Sequence, residues 1–410
     1  MILPVYSESF QCIGPACEDS CCRGWAVPID RPAYEKYQTV QGPLRVLLDA
    51  NLLLTPNDPN PAHYAAVRMP ASHVCPFLNE GRLCRIQAEH GEEYLSVTCA
   101  TYPRIRLTID NLKGTALSLS CPEAARLVLL NPRLLPPAGS AGYQISWEDS
   151  GAGAPTLLPY FWPIREFVIG LIQNRAYPLW QRLFLVGAFC RRLDALFGIE
   201  CKPVERREGF PALFRNFSAA VAAGGLRDTM ETIPADLGLQ LDMVLRLTGL
   251  GSNRALIGTR FIECVRAFAG GIGPGTEETL ETRIERYRAA YSAVYAPFFA
   301  RHPHILENYL INAVFAKAFP FGLKDGGMPE NPEAAREFAL LATQFTLMKG
   351  LLIGVAGFYG QAFSVDHVIH TVQSASKHFE HYPEFLVQAQ ALLTARGLDN
   401  THGLTMLLRN

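Results

Sequence analysis

The chain lacks an excess of either charge. Its 410 residues include 37 Lys and Arg against 38 Asp and Glu, which gives a formal net charge of −1. Proteins that bind nucleic acid or acidic membrane surfaces usually carry a basic excess. We therefore expect neither nucleic acid nor a membrane among the partners.

Long apolar runs and export signals are also lacking. The most membrane-like stretch covers residues 338–363, but Gln344 and Lys349 interrupt it. A membrane-spanning helix needs about 20 predominantly apolar residues, so we interpret this stretch as a buried core helix. Residues 1–10 show no basic region and no apolar region follows them, unlike a secretory signal. These observations predict a cytoplasmic protein.

Regular alternation of strands and helices is absent, which argues against a doubly wound nucleotide-binding sheet. Instead, apolar residues recur at spacings of three and four through most of residues 160–396, as in amphipathic helices. The clearest stripes are Leu183, Val186, Cys190, Leu193 and Phe197; Leu280, Ile284, Tyr287, Tyr291 and Val294; and Val365, Val368, Val372, Ala375 and Phe379. The sequence predicts a mainly α fold.

Prolines and glycines concentrate in residues 132–158 and break any periodicity there. We interpret this segment as a linker. It separates a cysteine-rich module, residues 1–131, from an all-helical C-terminal domain, residues 159–410. We expect the two to pack together, because small modules with apolar faces need a partner for that surface.

A small β-hairpin is predicted near the end of the N-terminal module. Residues 104–109 and 115–120 alternate polar and apolar side chains, and 110–114 between them are typical of a turn. The run from Ser120 to Glu123 fits a helix-capping box, which places Cys121 in the first turn of a helix.

The thiols form the most distinctive pattern in the chain. Eight of the eleven cysteines precede residue 122, with the spacing Cys12-x4-Cys17-x3-Cys21-Cys22 and then Cys75-x8-Cys84-x14-Cys99-x21-Cys121. In a reducing compartment such a set is typical of a metal or cluster site rather than of disulfides.

Two metal chemistries suit these thiols. A four-cysteine zinc site usually uses two short C-x2–4-C pairs, and only the first block offers one. Iron–sulfur clusters tolerate irregular spacing, so an iron–sulfur cluster is favoured and zinc is the alternative. The C-x3-C-x2-C motif of radical S-adenosylmethionine enzymes is not completed, because Gly24 stands at its third cysteine position. As ligands we rank Cys17, Cys21, Cys22 and Cys99 first, and Cys12, Cys75, Cys84 and Cys121 next.

Five motifs together carry a family resemblance. They are Phe10-x-Cys12-Ile13-Gly14-x-x-Cys17-Glu18-Asp19-x-Cys21-Cys22-x-x-Trp25, Cys75-Pro76-Phe77-Leu78, Leu83-Cys84-Arg85-Ile86-Gln87, Thr98-Cys99-Ala100-Thr101-Tyr102-Pro103-Arg104 and Leu117-Ser118-Leu119-Ser120-Cys121-Pro122-Glu123-Ala124. The set resembles the flagellin lysine-N-methylase family and the wider group of cysteine-rich zinc- or iron-chelating domains. The later runs Glu307-Asn308-Tyr309-Leu310 and Phe319-Pro320-Phe321 resemble that family more loosely.

The resemblance implies an enzyme that transfers a methyl group from S-adenosylmethionine to lysines of flagellin, and it implies a four-iron, four-sulfur (4Fe-4S) cluster. The alternative is a non-catalytic module that binds zinc or iron for a structural, storage or sensing role.

Methyl transfer needs a neutral amine about 3 Å from the sulfonium carbon, a path for the amine's proton, and aromatic faces for the sulfonium. Tyr102 and Asp30 are the candidate catalytic residues, and Trp25, Tyr34 and Arg104 are candidates for binding the methyl donor. Each has a structural alternative. Trp25 is suited to shield a cluster, Asp30 to cap a helix, Tyr102 to turn the chain, and Arg104 to neutralise a cluster or form an ion pair in the hairpin.

The glycine loop that usually binds the methyl donor is not evident. Residues 249–252 and 270–275 have the required glycines, but helix-like rather than strand-like sequence precedes both. We interpret them as ordinary connections between helices. Glu307 and Asn308 are equally suited to contact a substrate or to bond two helices together.

The thiol pattern and the family resemblance lead to a direct measurement on protein purified without oxygen. The 4Fe-4S cluster that the resemblance implies would give about four iron and four acid-labile sulfide per chain. Zinc without sulfide would contradict the cluster and favour a structural metal module.

Overall fold

The N-terminal part of the chain folds into short elements. The computed structural model describes residues 4–25, 27–58, 60–109, 112–136, 158–197, 203–250, 258–273, 278–322, 333–380, 382 and 384–410. The first elements are β1 (Pro28–Ile29), α1 (Arg31–Tyr37), α2 (Pro43–Asn51), β2 (Leu52–Leu54), β3 (Ala65–Val67), α3 (Arg85–His90) and α4 (Val97–Thr101). The three strands form an antiparallel sheet in the order β1-β3-β2. Strands of two or three residues are too short to show an alternating pattern, so the sequence did not predict this sheet.

The predicted hairpin is confirmed, but its second strand was misplaced. β4 (Arg104–Ile109) pairs antiparallel with β5 (Leu112–Leu117), and the register runs from Arg104 opposite Leu117 to Ile109 opposite Leu112. Residues 112–114 therefore belong to the strand rather than to the turn. The turn itself, residues 110–111, lies outside the described residues.

The next helix, α5 (Pro122–Leu129), begins one residue later than predicted. Cys121 is its N-cap and does not lie in its first turn. Ser120 does not cap the helix, because its hydroxyl contacts those of Ser118 and Tyr102 instead.

The rest of the described chain is helical, as predicted. The helices are α6 (Leu158–Gln173), α7 (Leu179–Phe197), α8 (Pro203–Ala222), α9 (Arg227–Glu231), α10 (Leu237–Gly249), α11 (Thr259–Ile272), α12 (Leu280–Ala290), a π-helical turn (Tyr291–Tyr295), α13 (Ala296–Arg301), α14 (His304–Ala316), α15 (Ala334–Tyr359), α16 (Val365–Glu380), α17 (Glu384–Ala395) and α18 (Thr401–Leu408). The three predicted apolar stripes lie on α7, on α12 with the π-helical turn, and on α16.

Two apolar cores hold these elements together. The smaller one includes Tyr37, Leu44 and Phe77 in the N-terminal part. The larger one fills the helical part but also takes in residues 116–135. The proposed division at residues 132–158 stays a prediction, and residues 137–157 lie outside the described part of the chain.

Helix α15 runs through the larger core. Among the described helices it alone has the length and composition to cross a membrane, but 94% of its most apolar 18-residue window is buried inside the protein. This agrees with the interpretation as a core helix. Gly271 of α11 packs directly on it, because a Cβ atom there would lie 1.8 Å from the carbonyl oxygen of Gly354. Gly270 and Gly271 thus serve helix packing, whereas Gly273 ends α11 at a positive φ.

Helix α14 is buried on all sides, and its polar residues bond to distant parts of the chain. Glu307 accepts hydrogen bonds from Arg175 at 3.0 Å and from the buried Arg182 at 2.9 Å. One residue on, the amide nitrogen of Asn308 donates to the carbonyl oxygens of Val128 and Asn131 at 2.9 and 2.7 Å. The structure therefore assigns Glu307 and Asn308 to bonding between helices.

Asn312 continues this row one turn further along α14. Its amide nitrogen donates to the Leu117 carbonyl oxygen at 2.8 Å, and its amide oxygen accepts from the Tyr6 hydroxyl at 2.7 Å. Because Leu117 ends β5, this bond fixes the hairpin against α14. The hairpin and α5 are thereby attached to the helical part through buried hydrogen bonds.

We predict that Asn308→Ala lowers the free energy of unfolding by about 2–3 kcal/mol, because it leaves buried carbonyl groups at the end of α5 without a donor. Chemical denaturation of the two proteins measures the difference. Asn216→Ala, at an exposed position on α8, is the matched control and should change stability little. Equal stabilities of the Asn308 variant and the wild type would contradict this role.

Candidate active site

A cavity of about 500 Å³ lies where the N-terminal part meets the helical part. Its walls come from α4 and the hairpin on one side and from α14, α15, α16 and α17 on the other. The volume is within the range of small-molecule sites, about 300–1,000 Å³. Most of the lining is apolar, with a few polar side chains among it, as is usual for such sites.

Aromatic side chains form part of the wall. The ring of Trp25 lies 5.7 Å from that of Tyr102, centroid to centroid. The Trp25 indole nitrogen donates to the Cys21 carbonyl oxygen at 2.5 Å, which ties this wall to the thiol-bearing segment. Tyr309 of α14 and Phe379 of α16 line the same cavity.

A row of hydroxyl groups crosses one wall and ends on a carboxylate. Tyr102 and Ser120 are 3.0 Å apart at their oxygens, Ser120 and Ser118 are 2.6 Å apart, and Ser118 donates to Glu380 Oε2 at 2.6 Å. Since Ser118 has one hydroxyl proton and gives it to Glu380, it accepts from Ser120, which in turn accepts from Tyr102. All the donors in this row therefore point toward Glu380.

Glu380 and Lys317 place opposite charges in the cavity. The Glu380 side chain lines the cavity and is exposed to it, while the surrounding protein raises the pKa of its carboxyl group by desolvation. Burial lowers the pKa of the Lys317 amine to about 8, although Glu380 and Glu337 oppose this shift. The Lys317 amine donates to Gln344 Oε1 on α15.

The tyrosine hydroxyls of the cavity stay protonated at neutral pH. Burial raises the pKa of Tyr102 and that of Tyr309 well above the ordinary value. Both can therefore donate a hydrogen bond to a ligand or accept one from it, but neither can serve as an anion.

The structure brings three of the five predicted site residues together. Trp25, Tyr102 and Arg104 all line the cavity. The Arg104 guanidinium also donates to the Phe10 carbonyl oxygen at 3.0 Å and lies over the Phe10 ring.

The other two, Asp30 and Tyr34, do not line this cavity. Asp30 caps α1 by accepting from the Ala33 backbone nitrogen at 3.0 Å, and its second oxygen accepts from that of Val97 at 2.7 Å. Tyr34 packs its ring edge-on against Tyr64. Catalytic and donor-binding roles for these two residues stay predictions, without support from their positions.

Sequence reasoning missed Glu380, Lys317 and Ser118 as candidate site residues. Ser118 lies in the fifth family motif, but the motif gave it no role, and Glu380 and Lys317 lie in no motif with recognisable spacing. Their proximity was not predictable because α16, the end of α14 and the hairpin meet only in the folded chain. Tyr309 and Lys317 do lie within and beside the two later runs that resemble the family, and that was the one available signal.

The eight N-terminal thiols lie in one neighbourhood, and none of the ten described cysteines forms a disulfide. Hydrogen bonds join Cys21 to Cys22 and Cys22 to Cys75, and electrostatic interactions link Cys21 to Cys84 and Cys99. Cys121 interacts in the same way with Cys17 and Cys21, and Cys17 with Cys12. Segments 100 residues apart in sequence thus bring their sulfur atoms close together.

These thiols are chemically suited to a metal, since a set of sulfur donors prefers zinc or an iron–sulfur cluster. Desolvation raises the pKa of Cys121 to about 12, against the effect of nearby backbone N–H groups, so that thiol stays protonated unless a cation compensates. Among the described residues, however, no group of three or more His, Cys, Asp or Glu side chains is arranged to hold one metal ion. Sulfur donors of this kind fit a cluster. Which of the eight cysteines bind it stays a prediction.

Comparison with known proteins connects this chain to lysine methylases. Residues 165–407, more than half of the chain, match the FliB lysine N-methylase C-terminal domain. The chain is 34% identical over 272 residues to lysine-N-methylases of Salmonella typhimurium (strain LT2) and Salmonella choleraesuis. Those alignments cover 64% of this chain and 65% of each relative.

A shorter relative covers less of the chain. The flagellar biosynthetic protein FliU of Salmonella muenchen is 35% identical over 131 residues, which is 32% of this chain and 76% of FliU. No solved structure matches. The match over residues 165–407 shows that the chain belongs to the FliB lysine N-methylase family.

Proposed function

We propose that this protein is a protein-lysine N-methyltransferase that uses S-adenosylmethionine to methylate flagellin in the cytoplasm, before flagellin is exported. The observation that carries the proposal is the cavity between the cysteine-rich part and the helical part that matches the family. Aromatic faces, a carboxylate and a row of hydroxyls line this one cavity.

The reaction joins the acceptor nitrogen to the methyl carbon as the bond from that carbon to sulfur breaks. The electron pair of that bond stays on sulfur, S-adenosylhomocysteine leaves, and the acceptor nitrogen loses a proton. Both substrates arrive with positive charge, one on sulfur and one on the ammonium group. A suitable site therefore offers groups that stabilise cations without blocking the line between nitrogen and carbon.

The wall formed by Trp25 and Tyr102 is suited to the sulfonium end. Electron-rich ring faces attract cations, and tryptophan does so most strongly. The two rings lie at the edge of the thiol-bearing segment, where Trp25 bonds to the Cys21 carbonyl oxygen. We assign the methyl donor to this side of the cavity.

The wall formed by α14 and α16 is suited to the acceptor lysine. Glu380 offers a carboxylate that attracts an ammonium group, and the Tyr309 hydroxyl provides a further polar contact. Hydrogen bonds from Ser118 and Ser376 hold the Glu380 carboxylate in place. A lysine side chain is long and narrow enough to reach a carboxylate on the cavity wall while its own backbone stays outside.

We also propose a 4Fe-4S cluster on the N-terminal thiols, with zinc as the alternative metal. Cys21, Cys22 and Cys75 are the best supported ligands, since their thiols already contact one another. When bound, the cluster would supply cross-links between loops that have little regular structure of their own.

We predict that Glu380→Gln lowers kcat/KM for flagellin about 10- to 100-fold, because the acceptor ammonium loses its charged partner. Transfer of a labelled methyl group to purified flagellin measures this. Glu384→Gln, at an exposed position on α17, is the matched control and should retain activity. A wild-type rate in the Glu380 variant would show that the acceptor lysine does not bind at this wall.

We predict that Trp25→Ala raises the Kd for S-adenosylmethionine roughly 2- to 30-fold, because a cation–π contact is lost. Trp25→Phe should keep most of the affinity, because it keeps an aromatic ring face. Calorimetry on anaerobically purified protein measures both. The iron content of each variant is measured as well. An unchanged iron content indicates that the loss of affinity comes from the missing ring face, whereas a reduced one indicates damage to the thiol segment. Equal affinity of the alanine variant and the wild type would place the donor elsewhere.

A further inference from the structure

We infer that Lys317 is the base that takes the proton from the acceptor lysine before the methyl group is transferred. This rests on the proposed function, because only an amine acceptor bound in this cavity needs such a base. No feature of the thiol site enters the inference.

The position of Lys317 suits this role. It directly follows α14, which ends at Ala316, and its side chain points into the cavity that holds Glu380 and Tyr309. Its amine donates to Gln344 Oε1 on α15, which fixes the nitrogen at the wall. Gln344 is neutral, so this bond does not require the amine to be charged.

The other ionisable groups that face the cavity are poorer bases. Tyr102 and Tyr309 keep their protons, because burial raises the pKa of each hydroxyl. Arg104 on the hairpin carries a guanidinium group, which has no acceptor site. Tyr382, before α17, adds a phenol hydroxyl to the same lining.

Glu380 on α16 is the remaining competitor. Desolvation raises the pKa of its carboxyl group, and the hydrogen bonds that it accepts from Ser118 and Ser376 oppose that rise. A neutral amine is intrinsically much more basic than a carboxylate. Glu380 is therefore suited to attract the acceptor ammonium, and Lys317 to deprotonate it.

The electrostatics of the cavity favour a neutral Lys317 when the base is needed. Burial lowers the pKa of its amine to about 8, while Glu380 on α16 and Glu337 on α15 favour the charged form. A bound sulfonium adds a positive charge nearby and so lowers that pKa further. Binding of the methyl donor would thus convert Lys317 into its proton-accepting form.

The proton balance of the step is simple. Neutral Lys317 accepts one proton from the acceptor ammonium, which frees the nitrogen lone pair to attack the methyl carbon. Lys317 is then an ammonium, next to Glu380, and the departing donor product is neutral at sulfur. Lys317 returns its proton to solvent before the next turnover.

Single-turnover methylation of flagellin, measured against pH on the metal-loaded full-length protein, tests the inference. In the wild type we expect the rate to rise with pH and to level off at or below about pH 8, because only neutral Lys317 is active and the bound sulfonium lowers its pKa. Lys317→Ala should lose about 10²- to 10⁴-fold in rate. Methylamine and ethylamine should restore part of the rate, and a series of small amines should rescue in order of basicity.

A second buried lysine provides the matched control. Lys349 on α15 is buried, the pKa of its amine is lowered to about 7, and it donates to the Leu408 carbonyl oxygen at 2.8 Å. It does not line the cavity. Lys349→Met should therefore keep the wild-type dependence on pH, whatever its effect on stability. Lys317→Arg, a permanent cation, should be slow at every pH.

Three outcomes would overturn the inference while leaving the proposed function standing. These are a Lys317→Ala variant with the wild-type rate and pH profile, a slow variant that binds S-adenosylmethionine normally but that no amine rescues, and mass spectrometry that finds the methyl group on Lys317 itself. A metal-loaded wild type that binds S-adenosylmethionine yet never methylates flagellin would overturn the proposed function and the inference together.

Discussion

A helix buried on every side sets the architecture of this protein. α14 carries three polar side chains into an apolar core, and each must find a hydrogen-bond partner there, because an unpaired buried polar group costs about 1–3 kcal/mol. Glu307 bonds to arginines of the helical part, whereas Asn308 and Asn312 bond to backbone groups near α5 and β5. This requirement fixes the positions of the hairpin and of α5 against α14. Because the hairpin forms one wall of the cavity, it also fixes that wall.

Few charged side chains line that cavity. A site for two cationic substrates would lose affinity for both if its own cations faced them unopposed. Here Arg104 is turned onto the Phe10 carbonyl and ring, and Lys317 lies with Glu380 and Glu337 near it. Neutral hydroxyls and aromatic rings make up most of the remaining polar surface. Under the proposed function, Glu380 is the carboxylate of this lining that attracts the acceptor amine.

Features with a local cause were predictable from the sequence. The helical period, the hairpin and the Asp30 cap depend on neighbouring residues, and all three are present. The three-stranded sheet and the exact start of β5 were missed, since pairing between short strands is decided by contacts between distant residues. Trp25 and Tyr102 lie within cysteine motifs and could therefore be chosen as candidates from the sequence. Glu380 and Lys317 reach the cavity only through contacts between distant segments, so the sequence did not indicate them.

The shared wall of the cavity also bears on how pieces of this protein would behave in solution. Ala313, Leu347 and Phe379 face the cavity from the helical side, opposite residues of the hairpin and α4. A fragment lacking residues 1–120 would lose α4 and the hairpin and would expose this apolar lining to solvent, and large exposed apolar patches promote aggregation. We therefore expect the cysteine-rich segment to keep the helical half soluble by covering this surface. Expression of the helical half alone would then favour insoluble material.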